Sequence, residues 1–386
     1  MTSASSRATS AKKSSSKSME GAPVLEKDGT RPSDEQLTRA FQTMVLSRLL
    51  DEKMLVLLKQ GKGYFHIGCM GHEAVQTATA HALTAGRDWA YPYYRDQALC
   101  LGLGMTAYEI FSCFLARADD PNSGGRQMPQ HYGHRALNIP SQSSPTGTQF
   151  LQAVGCALAS MRKHGPVNGH SDLEVTVVGT GDGTTSQGDF HEALNWASRA
   201  KAPVIFLVED NGFAISVPVT DQTPGGKVVH LGRGYDGLES VEVDGCDYAA
   251  SLAVMERAVA RARAGEGPTL VVANVVRLLP HSNSDDQRKY RAEADLAKDK
   301  ARDPVAAMRK LVKNPEAIEA EIKAFIDSEA ERAEKAPMPP RASAKRWVLS
   351  EQPEPPLVAP ALGGDEIVLV DAINRALAEE LERDPR

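Results

Sequence analysis

Two side chains with oxygen ligands, those of Asp182 and Asn211, each follow an apolar stretch in the middle of the sequence. Mg²⁺ prefers hard oxygen ligands and is commonly shared between one or two protein side chains and the phosphates of a ligand. Gly181 and Gly183 flank the aspartate, and glycine lets a backbone come close to a diphosphate. These residue types predict a site for magnesium and a diphosphate.

The segment 175–218 contains the elements that would bring these side chains together. It reads as an apolar strand, a Gly-Asp-Gly turn, a helix entered near Gly188, a second apolar strand and an Asn-Gly turn. The residues from 184 to 210 suffice for one helix and one strand that return to the same edge of a parallel sheet, where such sheets bind ligands. The amino end of the helix would face an anion. An ordinary turn in which Asp182 is only a helix cap stays open as the alternative.

Further strands and helices alternate on both sides of this segment. A capping box at Ser33 begins a first helix, and a second starts near His72 and Glu73. Stretches 238–243 and 269–275 read as buried strands, separated by a helix over 248–264. This alternation predicts an α/β fold with a doubly wound parallel sheet flanked by helices.

The chain divides by composition into four parts. Residues 1–32 are rich in Ser, Ala and Lys and predict a disordered bacterial tail, because an organellar transit peptide needs an amphipathic face that this stretch lacks. Residues 33–335 form the main domain. Residues 336–364 contain seven prolines and read as a linker, and 365–386 read as an amphipathic helix capped by Asp365.

The composition excludes several classes of protein. The chain has 386 residues, 41% of them hydrophobic and 5% aromatic, which suits an α/β protein with one large core or two ordinary ones. A net charge of -6 gives no argument for nucleic acid, and no apolar run is long enough to span a membrane. The five cysteines are scattered, which favours reduced thiols in the cytoplasm of a bacterium over disulfides or zinc.

Two long polar loops, 119–147 and 278–291, are dense in residues that could meet a ligand. Tyr94 and Arg95 could clamp a phosphate or form a surface ion pair. For His66, His131 and His281, a solvated or packed loop histidine remains the alternative to a functional one.

The central motif carries a family resemblance. Gly-Asp-Gly followed at this distance by a strand and Asn-Gly resembles the fingerprint for thiamine diphosphate and magnesium. The segment from Ser33 to Lys335 resembles the alpha subunit of the decarboxylating component of 2-oxo acid dehydrogenase complexes, which has the thiamine diphosphate-binding fold. The motifs GRQMPQHYG, SSPTGTQ, VDGCD and PHSNSDDQRKYR are most similar to the branched-chain type, with the pyruvate and acetoin types as alternatives.

The resemblance implies roles for individual residues. The cofactor-binding positions are Tyr94, Arg95, Ser144, Thr146, Gly181, Asp182, Gly183, Thr184, Asn211, Phe213 and His281. Among these, Asp182, Asn211 and the carbonyl of Phe213 would hold magnesium. The catalytic positions are His281, His131 and His66. A monovalent cation, K⁺, would lie at Ser143, Pro145, Thr148 and Gln149.

The sequence departs from the family pattern at three positions. Asp210 replaces the first residue of the usual Asn-Asn pair, and Thr146 stands where a larger apolar residue is common. Glu209 stands where some branched-chain members have arginine and resembles the pyruvate type. The identity of the 2-oxo acid is therefore less firmly predicted than the cofactor.

The resemblance also implies partners. The family acts as an alpha-beta heterotetramer on a small 2-oxo acid, a glutamate of the beta subunit activates the cofactor, and the acyl group passes to a lipoyl domain of dihydrolipoamide acyltransferase. The last stretch, GDEIVLVDAINRALAEELERDPR, resembles the first helix of the beta subunit and predicts the start of a beta-type domain in a truncated or frameshifted alpha-beta fusion. A catalytically silent scaffold subunit is the rival from another class.

Overall fold

A five-stranded parallel sheet carries both predicted metal ligands at its carboxyl edge. The protein is described by a computed structural model, which covers residues 31–164, 172–346, 348 and 366–384. The chain divides into two compact units, 1–340 and 341–386, and the sheet belongs to the first.

The described strands and helices follow one another along the chain with short connections. The strands are β1 (Trp89–Tyr91), β2 (Thr176–Gly181), β3 (Val204–Asp210), β4 (Phe213–Ala214), β5 (Val217–Pro218), β6 (Glu239–Asp244) and β7 (Thr269–Asn274). The helices are α1 (Asp34–Lys59), α2 (Glu73–Ala82), α3 (Gln97–Gly102), α4 (Ala107–Phe114), α5 (Gln149–His164), α6 (Gly188–Ala200), α7 (Val219–Gln222), α8 (Tyr248–Arg263), α9 (Glu293–Ala301), α10 (Pro304–Arg309), α11 (Pro315–Lys335) and α12 (Leu369–Arg383).

The sheet has the order β1-β2-β3-β7-β6, and all its neighbouring strands are parallel. Gly181 at the end of β2 lies opposite Glu209, and Asp210 at the end of β3 lies opposite Asn274. The strands therefore end in line, and the turns that follow β2 and β3 are neighbours. This register confirms the predicted parallel sheet.

Alternate residues of the strands pack against two separate layers of helices. In β3, Ile205 and Leu207 join a core that includes α4 and α8, whereas Phe206 and Val208 join a core that includes α5 and α6. A strand buried on both faces reads as a continuous apolar run, as β3 does. Helices on both faces confirm the doubly wound α/β class.

Several element ends follow from local chemistry. Ser33 accepts from the amide of Gln36 at 3.2 Å, and the Gln36 side chain accepts from the amide of Ser33 at 2.9 Å, which is the predicted capping box of α1. The predicted starts of α2 and α6 are confirmed, and β6, α8 and β7 lie within one residue of their predicted ends.

Near the carboxyl end, Asp303-Pro304 and Asn314-Pro315 each predict a cap followed by proline at the first helical position, and α10 and α11 begin there. Asp303 caps α10 through the amides of Val305 and Ala306, as expected. Asn314 is the cap residue of α11 and Pro315 follows at the first helical position, as expected, but the φ of Asn314 is +51° and its side chain makes no capping bond. The predicted cap Asp365 lies outside the described residues, and α12 begins at Leu369.

The second unit contains an amphipathic helix, α12, with its apolar side chains exposed. Ile373, Leu377 and Leu381 are each at least half exposed. Of the predicted linker, 336–346 and 348 are described, with a 3-10 turn at Arg341–Lys345, and the division into four parts stays a prediction. Within the described residues, no helix has the length and hydropathy needed to cross a membrane.

Candidate functional site

Asp182 is fully buried where β2 ends, and neither oxygen of its carboxylate has a hydrogen-bond partner. Its main-chain carbonyl is held by the hydroxyl of Thr185 at 2.7 Å and by Nε2 of Gln222 at 3.0 Å, so the turn itself is firmly built. A buried carboxylate without donors is costly unless a cation balances it. The orphaned carboxylate therefore fits the ligand of a metal ion.

The electrostatics around Asp182 favour the same interpretation. Burial and the negative charge of Asp210 raise the pKa of Asp182 to about 7, against the opposing effect of the nearby amides of Asp182 and Asn211 and of the positive charge of Arg277. A bound cation reverses this balance and keeps a carboxylate ionised. Without such a cation, much of Asp182 would be protonated near neutral pH.

Asn211 follows β3 and lies beside the turn that carries Asp182, as the register requires. Its Oδ1 accepts weakly from the amide of Phe213 at 3.3 Å, which turns the chain after Gly212. No group of three His, Cys, Asp or Glu side chains that could hold a metal occurs in the part of the chain that the structure describes. A metal here would use one carboxylate, the Asn211 amide oxygen, a carbonyl and the ligand's own phosphates.

The two glycines beside Asp182 have different surroundings. A Cβ added to Gly183 would lie 2.7 Å from Cβ of Ala214, so this glycine is needed for the β4–β5 hairpin to pack against the turn. A Cβ on Gly181 would meet the ring of Tyr93 at an ordinary 3.7 Å. The chain itself therefore does not require glycine at 181, in keeping with a role toward a ligand.

Tyr94, Arg95 and His281, three of the predicted cofactor-binding residues, come together at this edge of the sheet. The Arg95 guanidinium is buried, donates to the carbonyl of Gly68, and places its other amino group 3.5 Å from Nδ1 of His281. The Tyr94 ring lies 5.4 Å from the guanidinium and 6.0 Å from the His281 ring. Burial and the charges of Arg95 and Arg277 lower the pKa of His281 to about 4, so the imidazole is neutral at pH 7.

A buried polar network, which the motifs did not reveal, supports the segment 93–96, which contains Tyr94 and Arg95. Glu209 accepts from Nε2 of Gln76 at 2.9 Å and from the Tyr93 hydroxyl at 3.2 Å, and its Oε2 also contacts Nδ1 of His72. Burial and the charge of Glu209 raise the pKa of Asp96 well above its usual range, so Asp96 keeps its proton and donates it to Glu209. The network fixes the segment that presents Tyr94 and Arg95.

Arg277 is a second buried arginine, and no sequence motif indicated it. It donates to the carbonyl of Ile215 at 3.0 Å and to the Tyr290 hydroxyl at 2.8 Å, and its guanidinium lies 5.7 Å from the Phe213 ring. Ile215 has a φ of +58°, a conformation that a β-branched residue rarely adopts. An arginine directly after the apolar pair Val275 and Val276, which follows β7, was the available signal.

The other two predicted histidines lie in separate contacts. His131 is buried and its Nε2 lies 2.8 Å from the hydroxyl of Ser144, so these two predicted residues do meet. His66 is buried and its ring contacts Asp51 rather than the turn 181–186, named the metal turn because it carries the predicted metal ligand Asp182. Asp51 was missed, although it is an acidic residue at a core position of α1.

The predicted monovalent-cation segment forms a turn before α5. The hydroxyl of Thr148 donates to the carbonyl of Pro145 at 3.1 Å, and the Gln149 side chain bridges the amide of Gly147 and the carbonyl of Gly179. Ser143 is half-buried, and Ser144, Pro145 and Thr146 are exposed. Thr184 is buried in the metal turn. The cation site itself stays a prediction.

Comparison with known proteins gives a consistent assignment. The sequence model of the family described as "Dehydrogenase E1 component" matches residues 41–341. The chain is 38% identical over 327 residues to 2-oxoisovalerate dehydrogenase subunit alpha of Bacillus subtilis, covering 83% of this chain and 97% of that protein.

Two further relatives are named for substrates that differ from each other, 3-methyl-2-oxobutanoate and pyruvate. The chain is 36% identical over 296 residues to 3-methyl-2-oxobutanoate dehydrogenase subunit alpha of Mycobacterium tuberculosis, covering 75% of this chain and 74% of that protein. It is 34% identical over 318 residues to pyruvate dehydrogenase E1 component subunit alpha of Staphylococcus aureus, covering 78% and 80%.

Proposed function

The chain belongs to the dehydrogenase E1 component family, and from this premise we propose that it is the alpha part of a 2-oxo acid dehydrogenase that acts on branched-chain 2-oxo acids. The observation that carries the proposal is the buried, orphaned carboxylate of Asp182 beside Asn211 at the ends of two neighbouring parallel strands. The function belongs to the oxidoreductases that use a disulfide acceptor.

The residues present fit thiamine diphosphate with Mg²⁺. Asp182, Asn211 and the carbonyl of Phe213 would hold the metal, and Arg95 and Tyr94 would reach the diphosphate. Ser144 and Thr146 would lie beside the rest of the cofactor. When bound, the cofactor supplies the chemistry that releases carbon dioxide from a 2-oxo acid.

The protein's own contribution is binding, orientation and proton handling. Gln76 donates both to Glu209 and to the carbonyl of Arg95, so the Asp96–Glu209 network keeps Arg95 at a fixed place and a diphosphate meets a preorganised cation. His281 is neutral at pH 7 and can accept a hydrogen bond from a ligand. We assign proton transfers on the substrate side to His66 and His131.

The substrate class rests on the named relatives and the partners on the family. Relatives at 38% and 36% identity are named for branched-chain 2-oxo acids, and one at 34% is named for pyruvate. A beta subunit or domain would complete the site, a lipoyl domain would take the acyl group, and an alpha-beta heterotetramer would be the assembly.

Cofactor binding by the full chain with its beta partner tests the proposal. We expect Asp182→Asn to weaken Mg²⁺-dependent binding of thiamine diphosphate, measured by calorimetry, by at least about 100-fold, since even outer-shell changes cost 10–100-fold. Asp236→Asn removes an exposed carboxylate and should leave binding unchanged. Unchanged affinity in Asp182→Asn would sink the assignment.

A turnover assay separates the substrates. We expect faster decarboxylation of 3-methyl-2-oxobutanoate than of pyruvate by the complex of this chain and its beta partner. The reverse order would favour the pyruvate type. No turnover of either 2-oxo acid despite cofactor binding would favour the silent subunit.

A further inference from the structure

Asp51 is an acidic residue on the apolar face of α1. It lies at helical spacing from the buried residues Met44, Ser47 and Met54, and it is itself fully buried. A carboxylate at a core position costs free energy unless donors satisfy its oxygens. Its partners therefore indicate why it is there.

Both donors come from the loop 64–71. Oδ1 of Asp51 lies 2.9 Å from Nε2 of His66, and Oδ2 accepts from the amide of Cys69 at 2.7 Å. Among the ion pairs of the described residues, His66 is the partner of this carboxylate. The carboxylate thus serves the loop alone, and it fixes the His66 ring.

The contact determines which nitrogen of His66 is available. An ionised carboxylate only accepts, so Nε2 of His66 must carry a hydrogen and donate it. In a neutral imidazole the other nitrogen, Nδ1, then has a free lone pair. No hydrogen bond to Nδ1 occurs within the described residues. Asp51 therefore leaves Nδ1 able to take up a proton.

His66 lies next to the cluster of Tyr94, Arg95 and His281. A Cβ added to Gly68 would lie 3.1 Å from Cε1 of His66 and 2.6 Å from Cδ1 of Leu279, so the three residues pack closely. The carbonyl of Gly68 accepts from Arg95, whose other amino group reaches His281. The His66 ring is therefore separated from Arg95 by a single residue of the loop.

We propose that Asp51 is a positioning residue, which holds the His66 ring so that Nδ1 exchanges a proton with the 2-oxo acid substrate. This inference rests on the function proposed above and adds to it the residue that orients the substrate-side histidine. Asp51 itself touches neither substrate nor cofactor.

The substitution Asp51→Asn tests the proposal in the full chain with its beta partner. The new amide oxygen can still accept from the Cys69 amide, while the amide nitrogen donates to Nε2 of His66 and moves the ring hydrogen to Nδ1. We expect kcat to fall about 100-fold, the lower end of general acid-base effects, with thiamine diphosphate affinity unchanged. His66→Gln should lose a similar factor, and the double variant should lose no more than His66→Gln alone.

A spectroscopic measurement isolates the orienting role. In full-length chain labelled with ¹⁵N in the histidine rings, the signal that disappears in His66→Gln should report a hydrogen on Nε2 in the native chain and on Nδ1 in Asp51→Asn. Asp88→Asn is the matched control. Its buried carboxylate accepts from the amides of Thr84 and Val175 and from the guanidinium of Arg263, before β1 at the opposite edge of the sheet. Its replacement by the amide should leave kcat unchanged.

The outcomes separate the two proposals. A native complex that neither binds the cofactor nor turns over would overturn the proposed function, and the ¹⁵N measurement would still decide the contact of Asp51 with His66. An unmoved ring hydrogen, an unchanged kcat, or losses that multiply in the double variant would overturn the role of Asp51.

Discussion

His66 and Asn283 are joined by two hydrogen bonds, although 217 residues separate them. The amide of His66 donates to Oδ1 of Asn283 at 2.9 Å, and the amide of Asn283 donates to the carbonyl of His66 at 2.9 Å. The loop 64–71 and the loop 278–291 are therefore bridged close to the candidate site, and a disturbance in one should be felt in the other.

Asn283→Ala removes the side-chain half of this bridge and leaves the amide of His66 without an acceptor. We expect amide hydrogen exchange to accelerate about 5- to 10-fold in both loops, which corresponds to the loss of one net hydrogen bond. Asn195→Ala, on the exposed face of α6, should change exchange in neither loop. Acceleration confined to 278–291 would contradict the bridge.

Gly183→Ala and Gly181→Ala form a matched pair in the metal turn. The Cβ at 183 would press on Ala214, so we expect a loss of about 1–3 kcal/mol in the free energy of unfolding. The Cβ at 181 meets ordinary contacts, so we expect stability to hold and thiamine diphosphate affinity to fall. Urea unfolding and calorimetry measure the two effects, and equal stability of both variants would refute the packing argument.

Arg48 bridges α1 to α2 and to the start of α10. It donates to Glu73 at 2.7 Å and to both oxygens of Asp303 at 2.9 Å, and Glu73 is fully buried. Arg48→Met leaves the buried carboxylate of Glu73 without its cation, so we expect the free energy of unfolding to fall by about 3–5 kcal/mol.

The exposed pair of Arg39 and Glu35 is the control for this prediction. Arg39→Met should change the free energy of unfolding by less than about 1 kcal/mol, since exposed pairs contribute little. Urea unfolding of both variants gives the comparison. A similar small effect of Arg48→Met would show that the buried pairs contribute little.

The depressed pKa of His281, about 4, predicts a loss of stability in acid. Above pH 6.5 the imidazole is neutral in both the folded and the unfolded chain. Between pH 6.5 and 4 the unfolded chain binds a proton that the folded chain does not, so the folded state loses free energy as the pH falls. Because the ring is partly exposed, we expect about 1–2 kcal/mol in total.

His281→Gln removes this proton linkage. Urea unfolding at pH 7 and at pH 4.5 gives the loss of unfolding free energy in acid. In the variant this loss should be smaller by about 1–2 kcal/mol. His191→Gln is the control, because that ring is half-buried on α6, beyond the site. An identical pH dependence of stability in the native chain and in His281→Gln would rule out a lowered pKa of the His281 imidazole.

The sheet-edge part of the site could be predicted from the sequence. Asp182 and Asn211 each follow an apolar strand, and parallel strands that are neighbours end at the same edge. The capping box at Ser33 was equally readable, because its partners lie three residues apart. Local spacing and strand period suffice for features of this kind.

The supporting network could not be predicted in the same way. Asp96 and Glu209 lie in different elements, and Arg95 reaches His281 across 186 positions of sequence. A pattern assigns a residue to an element but does not tell which distant loop covers it. Asp51 left one trace, an acid at a core position of α1, and only the fold identifies His66 as its partner.

Ile215 combines an exposed side chain with a φ of +58°, and the buried Arg277 grips its carbonyl. A backbone in that region costs a non-glycine residue of order 1–3 kcal/mol. A search for heat-resistant variants would therefore find glycine or asparagine at 215 among its first improvements. The same variants would make the hairpin beside the metal turn more mobile. Selection for turnover and selection for thermal stability would therefore favour different residues at position 215.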